Sequence, residues 1–254
     1  MNTPRASELF GAVAAAYVRH RPTYPGVFLD AFVARLEGRP AQVWDCGCGS
    51  GQASLALAQR GVRVIATDAS AAQLASAPQH PLVHYAQAQA DASGLAAASV
   101  DGVLVAAAVH WFAGERFNQE VRRVARPGAV MAWIGYLPVQ LQGPELQALV
   151  QHFYATTLAP WWPPERALVE CSYAGLEFPG EEWPFPEGLE IVRHWNLEAL
   201  LGYLASWSAV SAARAAGCDP LAPLAVELAA LWPDGGSGEV EARWPFMGRW
   251  GRVC

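Results

Sequence analysis

The amino-acid sequence predicts an α/β fold built on a doubly wound, mainly parallel sheet, and three observations lead to this prediction. Between residues 41 and 136, short apolar segments alternate with segments of helical periodicity, as in repeated βαβ units. The segment at residues 101–107 is almost wholly apolar, which is typical of a strand buried on both faces. A glycine-rich turn at residues 47–51 follows the first apolar segment, where folds of this class bind their ligands.

Sequence patterns predict each helix and strand in residues 1–40 and in residues 41–136. In residues 1–40, helical spacing at residues 7–19 and 27–36 flanks a segment with Pro22 and Pro25, in which a regular helix cannot form. Residues 41–136 form the predicted core, whose elements are bounded by Gly and Pro. We expect strands at residues 42–46, 62–67, 82–86, 101–107 and 129–136, and helices at residues 52–60, 69–77 and 118–125.

The alternation of strands and helices ends after residue 136. Residues 137–238 are rich in Trp and Pro, and they predict a mostly helical cap that carries a substrate pocket. Its helices are expected at residues 146–158, 197–216 and 221–231, while Pro and Trp make the segment at residues 178–186 a predicted loop. Residues 239–254 alternate well enough for one or two closing strands, including an antiparallel C-terminal strand of the core sheet.

Composition excludes several classes of protein. With 53% hydrophobic and 16% charged residues, the chain is not intrinsically disordered. The formal net charge of −6, without a cluster of Arg, argues against a nucleic-acid partner. The longest uncharged apolar run, residues 102–113, is shorter than the ~20 residues of a membrane helix, so we expect no membrane partner. We also expect a small-molecule substrate, a cytoplasmic location without a secretory leader, and a monomer or weak homodimer.

The cysteines predict neither disulfides nor a metal site. There are five, an odd number, and a chain of 254 residues does not need disulfides to be stable, so we expect reduced thiols. Cys46 and Cys48 are separated by one residue, which does not match the spacing of zinc ligands.

The turn after the first predicted strand reads Asp-Cys-Gly-Cys-Gly-Ser-Gly-Gln at residues 45–52. The dinucleotide fingerprint Gly-x-Gly-x-x-Gly would place its third glycine at position 52, which is Gln52. Asp45 stands two positions before the first glycine, where a carboxylate repels a pyrophosphate and attracts an ammonium group. The turn therefore predicts a ligand with a cationic end.

Two further aspartates follow the next predicted strands. Asp68 ends the second strand, where an acid can accept hydrogen bonds from ribose hydroxyls. Asp91 follows the third strand, where it can accept a hydrogen bond from an adenine amino group. An amine, a ribose and an adenine together describe S-adenosylmethionine (SAM) better than NAD.

These residues resemble the first three motifs of the class I SAM-dependent methyltransferases, over about residues 40–136. Within that family, the chain is similar to the methyltransferase type 11 group, which includes trans-aconitate methyltransferase. That similarity lies in Tyr17 with Arg-Pro-Thr-Tyr-Pro at residues 21–25, in Val-His-Trp-Phe at residues 109–112, and in Ala-Trp-Ile-Gly-Tyr at residues 132–136. The resemblance implies a Rossmann-like sheet and an enzyme that methylates a small molecule.

The resemblance also implies SAM as cofactor, S-adenosylhomocysteine (SAH) as its product, and no metal. It places Asp45 and the three loop glycines around the methionine part, Asp68 at the ribose, and Asp91 with Ala92 at the adenine. The segment before residue 25 would close over SAM as a lid. The implied cofactor-binding residues are Tyr17, Arg21, Asp45, Gly47, Gly49, Gly51, Asp68, Ala69, Asp91 and Ala92.

The acceptor side is predicted at the ends of the fourth and fifth strands. His110 follows the fourth strand, and it is a general base, a hydrogen-bond donor that positions the substrate, or a wall of the pocket. We expect four aromatic residues to bind the substrate: Trp111, Phe112, Tyr136 and Trp207.

The sequence leaves three functions open. The methyl group goes to an oxygen of a carboxylic acid or to another nucleophile of a small molecule, or it goes to a carbon of a quinone-like or polyketide-like ring. The third possibility is a non-catalytic SAM-binding module. A carboxylate acceptor needs no base but favours a cation, for which Arg19, Arg21 and Arg193 are candidates.

Overall fold

The computed structural model describes residues 21–37 and 40–254. The predicted helix at residues 7–19, with Tyr17 and Arg19, lies outside these residues. The chain divides into two compact units. Of the described residues, unit 1 comprises residues 21–22, Pro138–Arg166 and Glu190–Pro245, and unit 2 comprises Thr23–Leu137, Ala167–Leu189 and Phe246–Cys254.

The helices and strands are numbered here in chain order over the described residues. The strands are β1 Gln42–Cys46, β2 Arg63–Asp68, β3 Val83–Gln87, β4 Val100–Ala106, β5 Ala125–Tyr136, β6 Gln140–Leu141, β7 Gly180–Trp183, β8 Glu190–Trp195 and β9 Val240–Val253. The α-helices are α1 Gly26–Ala34, α2 Gln52–Ala58, α3 Ala71–Ala75, α4 Glu115–Val124, α5 Pro144–His152, α6 Arg166–Glu170, α7 Leu197–Ala205, α8 Ser208–Ala215 and α9 Leu221–Leu231.

Unit 2 is built on a mainly parallel sheet with the strand order β3-β2-β1-β4-β5-β9-β7. Strands β1 to β5 pair in parallel, and the second half of β9 pairs antiparallel with β5, from Tyr136 with Phe246 to Val130 with Arg252. The predicted doubly wound sheet with an antiparallel C-terminal strand is therefore confirmed. Because the strand order changes direction between β1 and β4, the carboxyl ends of these two strands mark the expected ligand edge.

Apolar side chains cover both faces of this sheet. On one face, Trp44 of β1 packs in a cluster with Phe117 and Val121 of α4. On the other face, Val43 of β1 packs with residues of α1 and α2, including Phe32. Neighbouring residues of β1 thus point to opposite clusters, which is what the apolar character of the strand predicts.

Strand β5 begins earlier than the sequence indicates. The sequence Arg126-Pro127-Gly128 predicts a break before residue 129, but β5 begins at Ala125. The register with β4 shifts between Val100 and Gly102, so extra residues of β5 lie opposite a short stretch of β4. This bulge accommodates a proline, which lacks the N–H group of a regular ladder.

Unit 1 contains helices α5, α7, α8 and α9 and a small antiparallel sheet. In that sheet, the first half of β9 pairs with β6 and with β8. Strands β7 and β8 were not predicted, and the predicted loop at residues 178–186 contains β7. Residues 167–189 belong to unit 2, and β9 contributes to both units.

Two predicted helices of unit 1 are interrupted. The prediction at residues 197–216 is replaced by α7 and α8, because Trp207 between them has an extended backbone with ψ of 138°. The prediction at residues 146–158 is replaced by α5 and a π-helical turn at Phe153–Thr157. Within the described residues, no helix has both the length and the apolarity to cross a bilayer.

Candidate active site

The glycine-rich loop between β1 and α2 is fastened to the end of β2. The backbone N–H groups of Gly47 and Cys48 donate to the carbonyl of Thr67, at 2.8 and 3.0 Å. The N–H of Gly49 donates to Oδ2 of Asp68 at 2.8 Å. The loop after β1 and the acid after β2, which the sequence predicts as one site, are thus joined by direct hydrogen bonds.

The three predicted glycines have different roles in this loop. Gly47, Gly49 and Gly51 all have positive φ, of 70°, 54° and 80°. A Cβ on Gly47 would lie 2.8 Å from the Cβ of Ala108, and one on Gly51 would lie 2.9 Å from the ring of Tyr85, so both positions are closely packed. A Cβ on Gly49 would meet no described atom nearer than 3.9 Å. The open space beside the loop therefore lies at Gly49, where a bound group can approach the backbone.

Asp45 is fully buried at the start of this loop. Its Oδ2 accepts a hydrogen bond from the Ser54 hydroxyl at 2.5 Å, and its Oδ1 has no hydrogen-bond partner in the described part of the chain. Burial raises the pKa of the Asp45 carboxyl to about 7, and the charge of Asp68 adds to the shift. An unsatisfied buried oxygen costs about 1–3 kcal/mol, so a ligand that donates to Oδ1 is favoured here.

Ser50 in the same loop provides a second unsatisfied group. Its side chain is 3% exposed, and its hydroxyl has no hydrogen-bond partner among the residues that the structure describes. A hydroxyl both donates and accepts. Together with Asp45, it makes the surroundings of the loop suitable for a polar, cationic ligand.

Asp68 supports the backbone on both sides of the site. Its Oδ2 accepts from Gly49 and its Oδ1 accepts from the N–H of Ser70, each at 2.8 Å. Burial raises the pKa of this carboxyl as well. Each carboxylate oxygen has more than one acceptor direction, so these bonds leave capacity for hydroxyl groups of a ligand. The predicted neighbour Ala69 accepts at its carbonyl from the side chain of Gln87 at 2.9 Å.

The predicted adenine-binding residues lie in the turn after β3. The N–H of Ala92 donates to the carbonyl of Gln89 at 3.2 Å. Oδ2 of Asp91 lies 3.0 Å from the guanidinium of Arg116, and the two side chains are 32% and 85% exposed. Asp91 therefore forms a solvent-exposed ion pair, and its contact with adenine stays a prediction.

Glu120 of α4 binds Ser93, which directly follows this turn. The sequence did not indicate Glu120 as a residue of the site. It accepts from the N–H and the hydroxyl of Ser93, at 2.9 and 2.5 Å, and it pairs with Arg123 at 2.7 Å. The hydrogen bond from Arg123 contributes most to lowering the pKa of Glu120, to about 2. No local sequence signal could have found it, because Ser93 is 27 positions away.

The acceptor-side residues lie just after β4. Ala107 has a left-handed backbone with φ of 54°, which is uncommon for a residue with a side chain. It leads into a short 3₁₀-helix, Val109–Trp111, that carries His110. The ring centroids of His110 and Trp111 are 4.9 Å apart, and those of His110 and Tyr173 are 6.4 Å apart with nearly parallel planes.

Phe112 connects this side to the glycine loop. A Cβ on Gly47 would lie 3.0 Å from the Phe112 ring, and Phe112 also packs on Phe117 with centroids 4.9 Å apart. Tyr136 ends β5, and its ring lies 6.4 Å from that of Tyr24. The structure thus brings Phe112 against the glycine-rich loop and places Tyr136 in the same unit.

Two predicted residues, Arg21 and Trp207, belong to unit 1. The Arg21 guanidinium donates to the hydroxyl and the carbonyl of Ser206, at 3.0 and 3.1 Å. Trp207 is 4% exposed and packs on Tyr203 with centroids 5.5 Å apart. The structure gives both residues a packing role in unit 1, and their roles in binding stay predictions.

Two tyrosines of unit 2, Tyr85 and Tyr173, lie near the predicted site residues although the sequence did not predict them there. Tyr85 on β3 packs on Gly51, its buried hydroxyl has no partner among the described residues, and burial raises its pKa to about 12. Tyr173 is fully buried with φ of 64°, and the guanidinium of Arg249 donates to its carbonyl at 3.0 Å. A place on the strand that precedes the predicted adenine-binding turn is the only signal that points to Tyr85, and we find none for Tyr173.

The cysteines of the loop are free thiols. Burial raises the pKa of both Cys46 and Cys48 above the ordinary value, which makes them poor nucleophiles. Across residues 21–37 and 40–254, no three His, Cys, Asp or Glu side chains are grouped to hold a metal ion.

Comparison with known proteins shows that this chain is similar to methyltransferases. A family model described as a methyltransferase domain matches residues 44–133. A solved structure of a candidate type II methyltransferase from Anaeromyxobacter dehalogenans is 45% identical with a TM-score of 0.80, and the match covers 91% of this chain and 97% of that one. A candidate methyltransferase of Dictyostelium discoideum is 28% identical over 84% of this chain and 82% of that protein. The malonyl-[acyl-carrier protein] O-methyltransferase of Enterobacter lignolyticus is 40% identical over 48% of this chain and 52% of that protein.

Proposed function

This chain belongs to the class I SAM-dependent methyltransferases, and we propose that it transfers a methyl group from SAM to a carboxylate oxygen of a small-molecule acid. One observation carries the proposal for the cofactor: the open space beside Gly49 lies on a loop with unsatisfied buried oxygens of Asp45 and Ser50. A ligand with an ammonium group and hydroxyl groups suits this set of donors and acceptors.

The residues present fit SAM in the order that the motifs predict. Asp45 and the loop at Gly49 would hold the aminoacyl end, where a positive charge favours the ionised carboxylate. Asp68 would accept from the ribose hydroxyls, beyond the two backbone N–H groups it already binds. The turn with Asp91 and Ala92, which Glu120 supports through Ser93, would lie along the adenine.

When bound, SAM supplies a methyl group on a sulfonium, which needs no further activation. The chain's own contribution is then alignment, which is worth about 7–11 kcal/mol when the reacting groups are well oriented. The hydrogen bonds from Gly47 and Cys48 to Thr67 fix the loop, and the contact between Gly47 and Phe112 fixes the 3₁₀-helix relative to it. The aromatic side chains of Trp111 and Phe112 exclude water from this region.

A carboxylate acceptor is supported by chemistry and by relatives. A carboxylate is ionised at pH 7, so it attacks without a general base. In this proposal His110 positions the acceptor by a hydrogen bond and removes no proton. The relatives named as malonyl-[acyl-carrier protein] O-methyltransferases act on a group that ends in a carboxylate, and they match over 52% to 67% of their own length.

The stability of the product tests this proposal. A mixture of carboxylic acids is incubated with the protein and SAM that carries a radioactive methyl group. We expect labelled products that release volatile methanol in mild base, because methyl esters hydrolyse under these conditions. Label that resists base would indicate methylation of carbon. Absence of label, with SAH binding measured by calorimetry, would indicate a binding module without catalysis.

A further inference from the structure

Arg166 of unit 1 is an arginine held rigidly by aromatic side chains. Its Nε donates to the hydroxyl of Tyr154 at 2.9 Å. The centre of its guanidinium lies 5.4 Å from the ring centroid of Tyr154 and 5.2 Å from that of Trp162. These contacts fix the guanidinium before any ligand arrives, so little side-chain entropy remains to be lost on binding.

The Arg166 guanidinium has no acidic partner among residues 21–37 and 40–254. Two other arginines of unit 1 do have one: Arg214 pairs with Asp219 at 3.1 Å, and Arg243 pairs with Glu190 at 2.7 Å. In a chain with a net charge of −6, a fixed cation that forms no ion pair is a site of attraction for an anion. Within the described residues, its terminal nitrogens make no hydrogen bond, so the fork that binds carboxylates is available.

The aromatic side chains that hold Arg166 are partly exposed, and their ring planes are inclined to each other by 46°. Tyr154 and Trp162 have ring centroids 4.9 Å apart, and the indole N–H of Trp162 donates to the carbonyl of Tyr154 at 3.0 Å. Both rings also lie 5.6 Å from that of the buried Trp207. Tyr154 stands in the π-helical turn Phe153–Thr157, a rare conformation that occurs frequently at functional sites.

We propose that Arg166, Tyr154 and Trp162 form a recognition site in unit 1 for a planar conjugated carboxylate, such as an aromatic or α,β-unsaturated acid. The guanidinium binds the carboxylate through its terminal nitrogens, and the aromatic rings pack against the conjugated system. The inference rests on the proposed function in one respect, namely that the ligand belongs to the class of acids proposed as acceptors.

Calorimetry and tryptophan fluorescence on the full chain test the site with three probes. Cinnamate carries charge and conjugation, cinnamamide lacks the charge, and 3-cyclohexylpropanoate lacks the conjugation. We expect cinnamate to bind, cinnamamide to bind at least about tenfold more weakly, and 3-cyclohexylpropanoate to bind more weakly than cinnamate. Equal affinity for cinnamate and cinnamamide, or no binding of cinnamate, would overturn the inference.

Variants assign the binding to Arg166. Arg166→Gln should weaken cinnamate binding at least about tenfold, and Arg166→Lys should weaken it less, because it keeps the charge but loses the planar fork. Arg214→Gln, which removes an exposed arginine of the same unit, should leave the affinity unchanged. The thermal midpoint of each variant shows whether it folds. Unchanged cinnamate affinity in folded Arg166→Gln overturns the inference, whereas SAH binding, measured in the same variants, tests the proposed function separately.

Discussion

The hydroxyl of Ser54 donates to Oδ2 of Asp45 at 2.5 Å, while the other carboxylate oxygen is buried without a partner in the described part of the chain. One side of this carboxylate is thus satisfied by the first turn of α2, and the other side is prepared for a donor from outside the protein. Asparagine keeps the shape and the acceptor for Ser54 but removes the charge, which makes it the informative substitution.

Asp45→Asn is expected to weaken SAH binding at least about tenfold, because a hydrogen bond to a charged group contributes about 1.5–3 kcal/mol. Calorimetric titration with SAH measures the affinity. The thermal midpoint at pH 4 should change little, since Asp45 is then uncharged and the hydrogen bond from Ser54 is retained in the variant. Asp30→Asn, which removes an exposed carboxylate paired with Arg60 in the same unit, is the matched control. Equal losses in both variants would contradict the assignment of Asp45.

The pH dependence of SAH affinity follows from the same carboxylate. Its pKa is raised to about 7 in the folded protein, and an ammonium group bound beside it would lower that pKa. Below pH 7 binding should release a proton from Asp45, so the affinity should rise with pH by up to about tenfold per unit; above pH 7 no proton is released and the affinity should level off. Calorimetry in buffers of different ionisation enthalpy counts that proton, and Asp45→Asn should abolish its release.

Folding stability should depend on pH in the opposite direction from the affinity for SAH. Because burial raises the pKa of Asp45 above the value of 3.8, its contribution to folding stability is fully present below pH 3.8 and is lost as the pH rises to about 7. The free energy of unfolding of Asp45→Asn should lack this component. A difference between wild type and variant that did not vary between pH 4 and pH 7 would argue against the raised pKa.

Gly49→Ala is expected to abolish measurable SAH binding, because its Cβ enters the open space beside the loop. The positive φ of 54° also makes alanine costly there, by about 1–2 kcal/mol of folding free energy. Gly61→Ala is a close control, because Gly61 has φ of 79° and a Cβ there would meet no described atom within 4 Å. Both variants should lose similar thermal stability, and only Gly49→Ala should lose SAH binding.

His110→Ala tests how the acceptor is activated. If the acceptor is a carboxylate, kcat should fall less than about tenfold, while KM for the acceptor rises, because general-base catalysis contributes about 10²–10⁴-fold where it operates. The pH profile of kcat should also keep its shape. A fall in kcat of a hundredfold or more would instead assign proton removal to His110 and favour a carbon acid or a phenol as acceptor.

The core was predictable because its signals are local. The strand at Gln42–Cys46 has the predicted bounds, since Gly47 ends it. Outside the core, the helix at Leu221–Leu231 of unit 1 also has the predicted bounds. Asp45 and Asp68 could be predicted as site residues from their places at the ends of consecutive parallel strands. In the structure, a hydrogen bond from Gly49 joins the glycine-rich loop to Asp68.

The parts that were missed depend on partners far away in the sequence. Strands β7 and β8 contain little that distinguishes them from loops, and each is stabilised by its half of β9. The break at Trp207 reflects the packing of its indole among Tyr154, Trp162 and Tyr203, which no helical pattern reveals. Glu120 accepts a hydrogen bond from Ser93, and Tyr85 packs on Gly51. Both contacts join residues that are far apart in the sequence, so only the structure shows them.

The contact between Phe112 and the backbone of Gly47 constrains how this enzyme can evolve. A smaller side chain at position 112 would enlarge the proposed acceptor side and, in the same step, remove support from the loop that we propose holds the aminoacyl end of SAM. Changes of acceptor range through this position are therefore tied to a loss of cofactor affinity, and new substrates are more readily admitted by replacing side chains that do not touch the loop.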